Sequence, residues 1–202
     1  MKKINLYFVA ALASGLSISC VSDDDAAMIP FDEIVFIENF EEAVDATDLD
    51  IADWTNFAQA GTRLWKEERF PLTGPDSNGY AEFSSFGTNQ ASNIGWLITP
   101  ALNLDGTKKK LSFQAAQHHL ESVNNKLEVL ISTNFNGTDV MAATWTPLQA
   151  TVPTQANDWY EFVNSGAINL SAYSGTVHIA FRVTGNGSTL TAGYQIDNVK
   201  LF

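Results

Sequence analysis

From Ile34 to Phe202 apolar residues recur at every second position or in short runs, and nowhere does the 3.6-residue spacing of an amphipathic helix persist. The clearest segment is Thr176 to Thr184. There Val177, Ile179, Phe181 and Val183 fall on one face of an extended chain, and His178, Ala180, Arg182 and Thr184 on the other. Ile34 to Phe40, Arg63 to Phe70, Tyr80 to Phe86, Trp96 to Leu104, Leu111 to Gln117, Leu127 to Ser132, Trp145 to Thr151, Trp159 to Val163 and Tyr194 to Phe202 read the same way. Between them stand turn pairs such as Asp105-Gly106, Asn136-Gly137 and Asn186-Gly187. Short strands at this spacing predict an all-β antiparallel sandwich over residues 34–202. Glu41 to Asp53 fits only a short helix or an acidic loop, and no internal repeat is present.

The chain opens differently. Lys2 and Lys3 precede an apolar run from Ile4 to Leu16, then Ser17, Ile18 and Ser19 lead to Cys20. This order of charge, apolar core and small residues predicts a secretory signal over residues 1–19, too short to span a bilayer as a mature helix. The Ser19-Cys20 junction resembles a lipobox, although Ser17 stands where that pattern prefers Leu. Cys20 is the only cysteine, so a lipid anchor at the outer membrane is expected. The alternative is an ordinary cleavage site that leaves a free thiol. Residues 20–33 then read as the lipidated cysteine with an acidic linker. Asp23, Asp24 and Asp25 resemble the surface-export signal of certain Gram-negative lipoproteins, which implies cell-surface exposure.

The net charge is -12, and it becomes -14 once Lys2 and Lys3 leave with the signal. Nucleic acid and anionic membrane surfaces demand a basic partner, so neither is expected. Glycans, proteins and divalent cations remain. No cysteine is left to staple the domain, whose length suits a single core.

Several phrases in order resemble the jelly-roll domains grouped as choice-of-anchor J and cleaved-adhesin modules, relatives of MAM-like and carbohydrate-binding sandwiches. They are Phe36-Ile37-Glu38-Asn39-Phe40-Glu41, Gly95-Trp96-Leu97-Ile98-Thr99-Pro100-Ala101-Leu102, Leu111-Ser112-Phe113, Leu127-Glu128-Val129-Leu130-Ile131-Ser132-Thr133, Leu170-Ser171-Ala172-Tyr173-Ser174-Gly175, Ile179-Ala180-Phe181-Arg182 and Gln195-Ile196-Asp197-Asn198-Val199. The resemblance implies a jelly-roll fold with first and last strands adjacent and a calcium ion near them. Function follows less directly, because this sandwich hosts many activities.

By alternation Glu38 shares a face with Phe36 and Phe40, and Asp197 with Val199 and Leu201. A carboxylate on an apolar face is costly unless paired. Glu38, Glu41 and Asp197 are therefore nominated as ligands of a structural calcium, with Asn39 and Asn198 as alternates. The alternative is that Asp197 accepts backbone hydrogen bonds at a turn while Glu38 is solvated. A glycosidase pair would need carboxylates flanking an open cleft, which a seam between terminal strands does not offer. His118 and His119, being adjacent on a strand, should face opposite sides and not share a zinc ion; neither they nor His178 sit in a His-x-His pattern. No Gly-x-Ser-x-Gly elbow supports a hydrolase triad.

Trp54, Trp96, Trp145 and Trp159 lie at strand starts or among apolar neighbours and read as core. Trp65 alternates with Arg63, Glu67 and Arg69, so Trp65, Arg63 and Arg69 are the candidate ligand-binding residues on a polar sheet face; the alternative is that a loop covers the ring. The expectation is a non-enzymatic cell-surface module for adhesion or ligand binding, glycan or protein. A glycan-capture or scaffolding lipoprotein of a polysaccharide-uptake system is the runner-up, and a hydrolase of unrecognised type is third.

Overall fold

The computed structural model describes residues 33–106 and 109–202. The signal, Cys20 and nearly all of the linker lie outside the described residues. Fourteen strands follow in order: β1 (Phe36–Glu38), β2 (Thr47–Asp48), β3 (Thr55–Ala60), β4 (Lys66–Phe70), β5 (Asn78–Ser84), β6 (Asn93–Ile98), β7 (Leu102–Asn103), β8 (Lys110–His118), β9 (Lys126–Ser132), β10 (Thr146–Pro147), β11 (Val163–Asn164), β12 (Ile168–Asn169), β13 (Thr176–Gly185) and β14 (Gly193–Leu201). Every pairing is antiparallel, and no helix occurs among the described residues.

One sheet runs β11-β8-β14-β5-β4-β2, with β1 also on β14 and β12 on β8; the other runs β10-β9-β13-β6-β3, with β7 on β13. The alternation read from Thr176 to Thr184 is realised: Val177, Ile179, Phe181 and Val183 are all buried in the main core. They face Phe113, Ala115, Tyr194 and Ile196 of the first sheet, and the Phe113 and Phe181 rings meet edge-on at 5.1 Å. Burying an aromatic or large aliphatic side chain contributes about 1.5–3 kcal/mol, which is why interior alternation dominates the pattern.

The other face of the second sheet is closed as well. Trp96, Ile98, Leu130 and Ala180 are roofed by Phe135 and Val140, with Trp145 packed against this smaller core. Among the described residues no comparable apolar cluster covers the outer face of the first sheet.

First and last strands do pair, Glu38 lying opposite Val199 and Phe36 opposite Leu201. β14 contains one extra residue, however. Its register on β8 shifts between Asp197 and Lys200, and Asn198 adopts a left-handed φ of 52°. This bulge flips the parity of the strand, so Tyr194 and Ile196 point inward before it and Val199 and Leu201 after it. Asn is among the few residues that accept this conformation without much strain.

Candidate functional site

The open face of the first sheet is furnished by alternation. Lys66, Glu68 and Phe70 project from β4, Asn78, Tyr80, Glu82 and Ser84 from β5, Gln114 and His118 from β8, and Gln195 and Asp197 from β14. The segment after Asn157 adds Trp159, Tyr160 and Phe162 along one side. Together they form a groove with two halves. One, of about 670 Å³, is lined by Phe70, Tyr80, Tyr160 and Phe162 and by the amides of Asn78, Gln114, Gln195 and Asn198. The other, of about 600 Å³, is ionic, with Arg63, Lys66, Glu68, Glu82, His118, His119 and Glu121. Tyr160 lines both. Phe70, Trp159 and Tyr160 are exposed, and Tyr80 meets Phe162 edge-on at 6.0 Å.

Four rings build the side wall of the ionic half. His118 stacks on Tyr160 at 5.0 Å and 16°, and His119 packs on Trp159 at 4.0 Å. The two imidazoles touch through Nδ1 atoms 2.9 Å apart. Alternation forbids this meeting, and the backbone overrides it: His119 has φ 56°, a left-handed conformation that swings its side chain to the same side as His118. Tyr160 is left-handed too, at φ 65°, and its N–H donates to the Gln117 carbonyl. Gln117 also holds the segment through Nε2 to the Asn157 carbonyl. Non-glycine residues in this region cost about 1–2 kcal/mol each, and such strain gathers at functional sites.

His118 reaches across β14 to β5, where Nε2 lies 3.5 Å from Glu82 Oε1, an ion-pair distance longer than a hydrogen bond. Gln195 Nε2 donates to Glu82 Oε2 at 2.8 Å. Burial opposes the charge on Glu82, but contacts with His118 and Gln195 outweigh it and hold the carboxyl below its ordinary range. Glu68 behaves oppositely: burial, then the neighbouring carboxylates of Glu82 and Asp45, push it up to about 7. Burial and the same carboxylates hold the Tyr80 hydroxyl well above its usual range.

The structure redistributes the residues nominated from sequence. Trp65 is fully buried, its ring 5.7 Å from that of Phe83. It shares its face with Glu67 and Arg69 as alternation predicts, but that face is turned inward, because those charges serve the loop that covers it. Glu67 accepts from the Val44 and Asp50 amides, and Arg69 donates to Ser77 Oγ and to the Glu41 carbonyl and pairs with the Glu41 carboxylate. Trp65 and Arg69 are thus structural, whereas Arg63 lines the ionic half and donates to the Phe86 carbonyl. Trp159, expected in the core, is exposed and forms the wall.

The carboxylates nominated for calcium are not gathered into one shell. Glu38 lies on the inner side with Val199, and its Oε1 accepts from the Phe40 amide at 2.8 Å. Asp197, turned outward by the bulge, accepts from Asn78 and Asn198. Glu41 pairs with Arg69, and the alternate Asn39 accepts from the Glu41 amide. Asp197 is raised by burial more than these hydrogen bonds lower it. Among the described residues no three His, Cys, Asp or Glu side chains are grouped to hold a metal ion. Glu41 is nevertheless near enough to Asp197 to add to the rise of its carboxyl.

Comparison with solved structures places the fold among cleaved-adhesin and carbohydrate-binding sandwiches. The K1 cleaved-adhesin domain of Lys-gingipain from Porphyromonas gingivalis W83 superposes with a TM-score of 0.54 at 23% identity, covering 83% of this chain and 96% of that one. The K2 domain of the same gingipain gives 0.54 at 15%, covering 83% and 97%. A structure described as concerning the promiscuous specificity of β-sandwich carbohydrate-binding modules gives 0.50 at 8% identity, covering 81% of this chain and 60% of that one. At these identities the likeness concerns fold alone. No protein-family model matches the chain, and no curated protein matches its sequence.

Proposed function

We propose that this protein is a non-enzymatic binding module that takes a glycan in the groove on the outer face of the first sheet. The observation that carries this reading is the meeting of aromatic rings and side-chain amides in one open trough, with Tyr80, Tyr160 and Phe162 beside Asn78, Gln114, Gln195 and Asn198. Sugars offer an apolar ring face and a rim of hydroxyls, and they call for that combination. A face that docked protein would be broader and flatter in its apolar surface. Binding modules of the same fold lend the reading support by analogy only. The test is a screen of the purified protein on neutral, acidic and amino-sugar glycans and on extracellular matrix proteins. Glycan binding lost in Tyr160→Ala supports the reading, and binding to matrix protein alone overturns it.

The module is further proposed to be held at the cell surface through a lipid on Cys20, a reading supported by the basic, apolar and small residues before that cysteine. Metabolic labelling with a fatty acid tests it, and a wild-type protein without acyl chain refutes it.

A second reading, hydrolysis, has one observation in its favour. Glu68 and Glu82 share the groove on adjacent strands, in the diagonal register set by Lys66 opposite Glu82 and Glu68 opposite Tyr80, and their surroundings push the two carboxyls apart, Glu68 up to about 7 and Glu82 below its ordinary range. Release of a phenol from aryl glycosides, abolished by Glu68→Gln, would favour it over binding alone.

A further inference from the structure

We propose that the aromatic wall of the groove is a pH-sensitive support, held firm by the His118–His119 pair near neutral pH and released when both imidazoles are protonated. The inference rests on reading the groove as the binding site, whose regulation it concerns.

The geometry sets the rule. A hydrogen bond between two Nδ1 atoms 2.9 Å apart needs one that carries hydrogen and one that does not. At most one of the two rings is then an imidazolium. With both protonated, two donors and two positive charges face each other at that distance and the contact must open. Its opening does not stay local. His118 carries Tyr160 and His119 carries Trp159, so separating the imidazoles moves the wall. Both His119 and Tyr160 are held in left-handed conformations, which relax once the contacts that impose them are lost.

The pair is seated rather than adventitious. The His118 ring lies over Gly193 of β14, where a Cβ would stand 1.9 Å from Nε2. Only glycine at that position lets the ring cross the strand toward Glu82.

The charged and titratable groups facing the pair come from every neighbouring element. Glu82 stands on β5, Lys66 and Glu68 on β4, Arg63 just ahead of β4, Glu121 beyond the pair, and Tyr160 on the wall segment. Lys66 is engaged by Asp48 and the Ala46 carbonyl, and Arg63 by the Phe86 carbonyl. Glu82 stands at ion-pair distance from His118 Nε2. Glu68, raised to about 7, loses its negative charge as the pH falls below that value, a charge that would otherwise offset a second imidazolium.

The test needs no ligand, so its failure and the failure of the glycan reading are separable. The full chain labelled with ¹⁵N would be followed between pH 8 and pH 5 through its histidine ring nitrogens and through the hydrogen-exchange protection factor of the Tyr160 amide. The expected result is that near pH 7.5 one of the two Nδ1 atoms bears hydrogen and the other does not, and that Tyr160 loses at least tenfold of its protection as the second ring is protonated. Full Tyr160 protection at pH 5 with both rings protonated would overturn the proposal. Glu68→Gln should keep the pH dependence, and its disappearance in that variant would assign the switch to Glu68 instead. His119→Phe keeps a ring against Trp159 without Nδ1, and in the folded variant the Tyr160 protection should no longer depend on pH; unchanged dependence there also overturns it.

Discussion

His118 rests its imidazole across Gly193, filling the space a Cβ would occupy and reaching Glu82 on the far side of β14. Gly193 itself has no unusual φ, so alanine suits its backbone and the substitution probes the ring alone. Gly193→Ala should displace the imidazole at a cost of about 1–3 kcal/mol, the usual range for overpacking. Ring ¹⁵N shifts of His118 should change while the rest of the spectrum is conserved. Unchanged shifts would mean that the ring does not lie there.

Trp65 separates two accounts of the chain directly. As an exposed sugar platform it would contribute little to folding, whereas as a buried partner of Phe83 its truncation should cost about 3–5 kcal/mol. In a domain of this size that corresponds to a fall in melting temperature of roughly 10 °C. Thermal unfolding of Trp65→Ala measures it, and a loss of only a degree or two would restore the platform.

Asp197 and Glu38 point to opposite faces of their sheet, and the oxygens of Asp197 are taken by amides of Asn78 and Asn198. A chelator should leave the melting temperature unchanged. A drop of several degrees would show a bound cation, since binding at a hundredfold excess over Kd stabilises by about 2.7 kcal/mol.

Glu68 gives the fold a pH signature. Its carboxyl is raised from 4.5 to about 7, so the folded state binds more protons than the unfolded one between those values. Stability from this group therefore increases as pH falls from 7 toward 4.5, and the penalty is fully present above 7. Glu68→Gln should stabilise the protein above pH 7 by about 0.5–1 kcal/mol, a figure discounted for solvent screening of a half-buried group. The gain should vanish near pH 4.5. Denaturant melts at pH 8 and pH 4.5 check it, and an equal effect at both would contradict the shift.

The sandwich was legible because period-two burial is written plainly in strands such as Thr176 to Thr184, and the pairing of first and last strands followed from the resemblance. β3 was hidden. Its residues Thr55–Ala60 are mostly half-buried at a sheet edge, so their alternation is weak. The site failed where alternation fails. The bulge at Asn198 turned Asp197 outward, and left-handed φ at His119 and Tyr160 brought together rings that a regular strand would separate. Trp65 was misplaced for a different reason: Glu67 and Arg69 mark a polar face only if nothing covers them, and the loop they anchor does. A signal for the groove was present in the adjacent aromatics Trp159 and Tyr160, followed by Phe162 and preceded by Asn157-Asp158.

Glycan binding by the groove on the first sheet is open to direct measurement through the affinities of groove variants. With a glycan identified on the array, isothermal titration at pH 7.5 would compare the wild type with Tyr160→Ala, Phe162→Ala and, on the opposite side of the sandwich, Met141→Ala, whose side chain is exposed. Removing a stacking ring should cost about 1.4 kcal/mol or more, a tenfold or greater weakening in each groove variant, with Met141→Ala unchanged. Undiminished affinity in both groove variants, each still folded, would contradict the account.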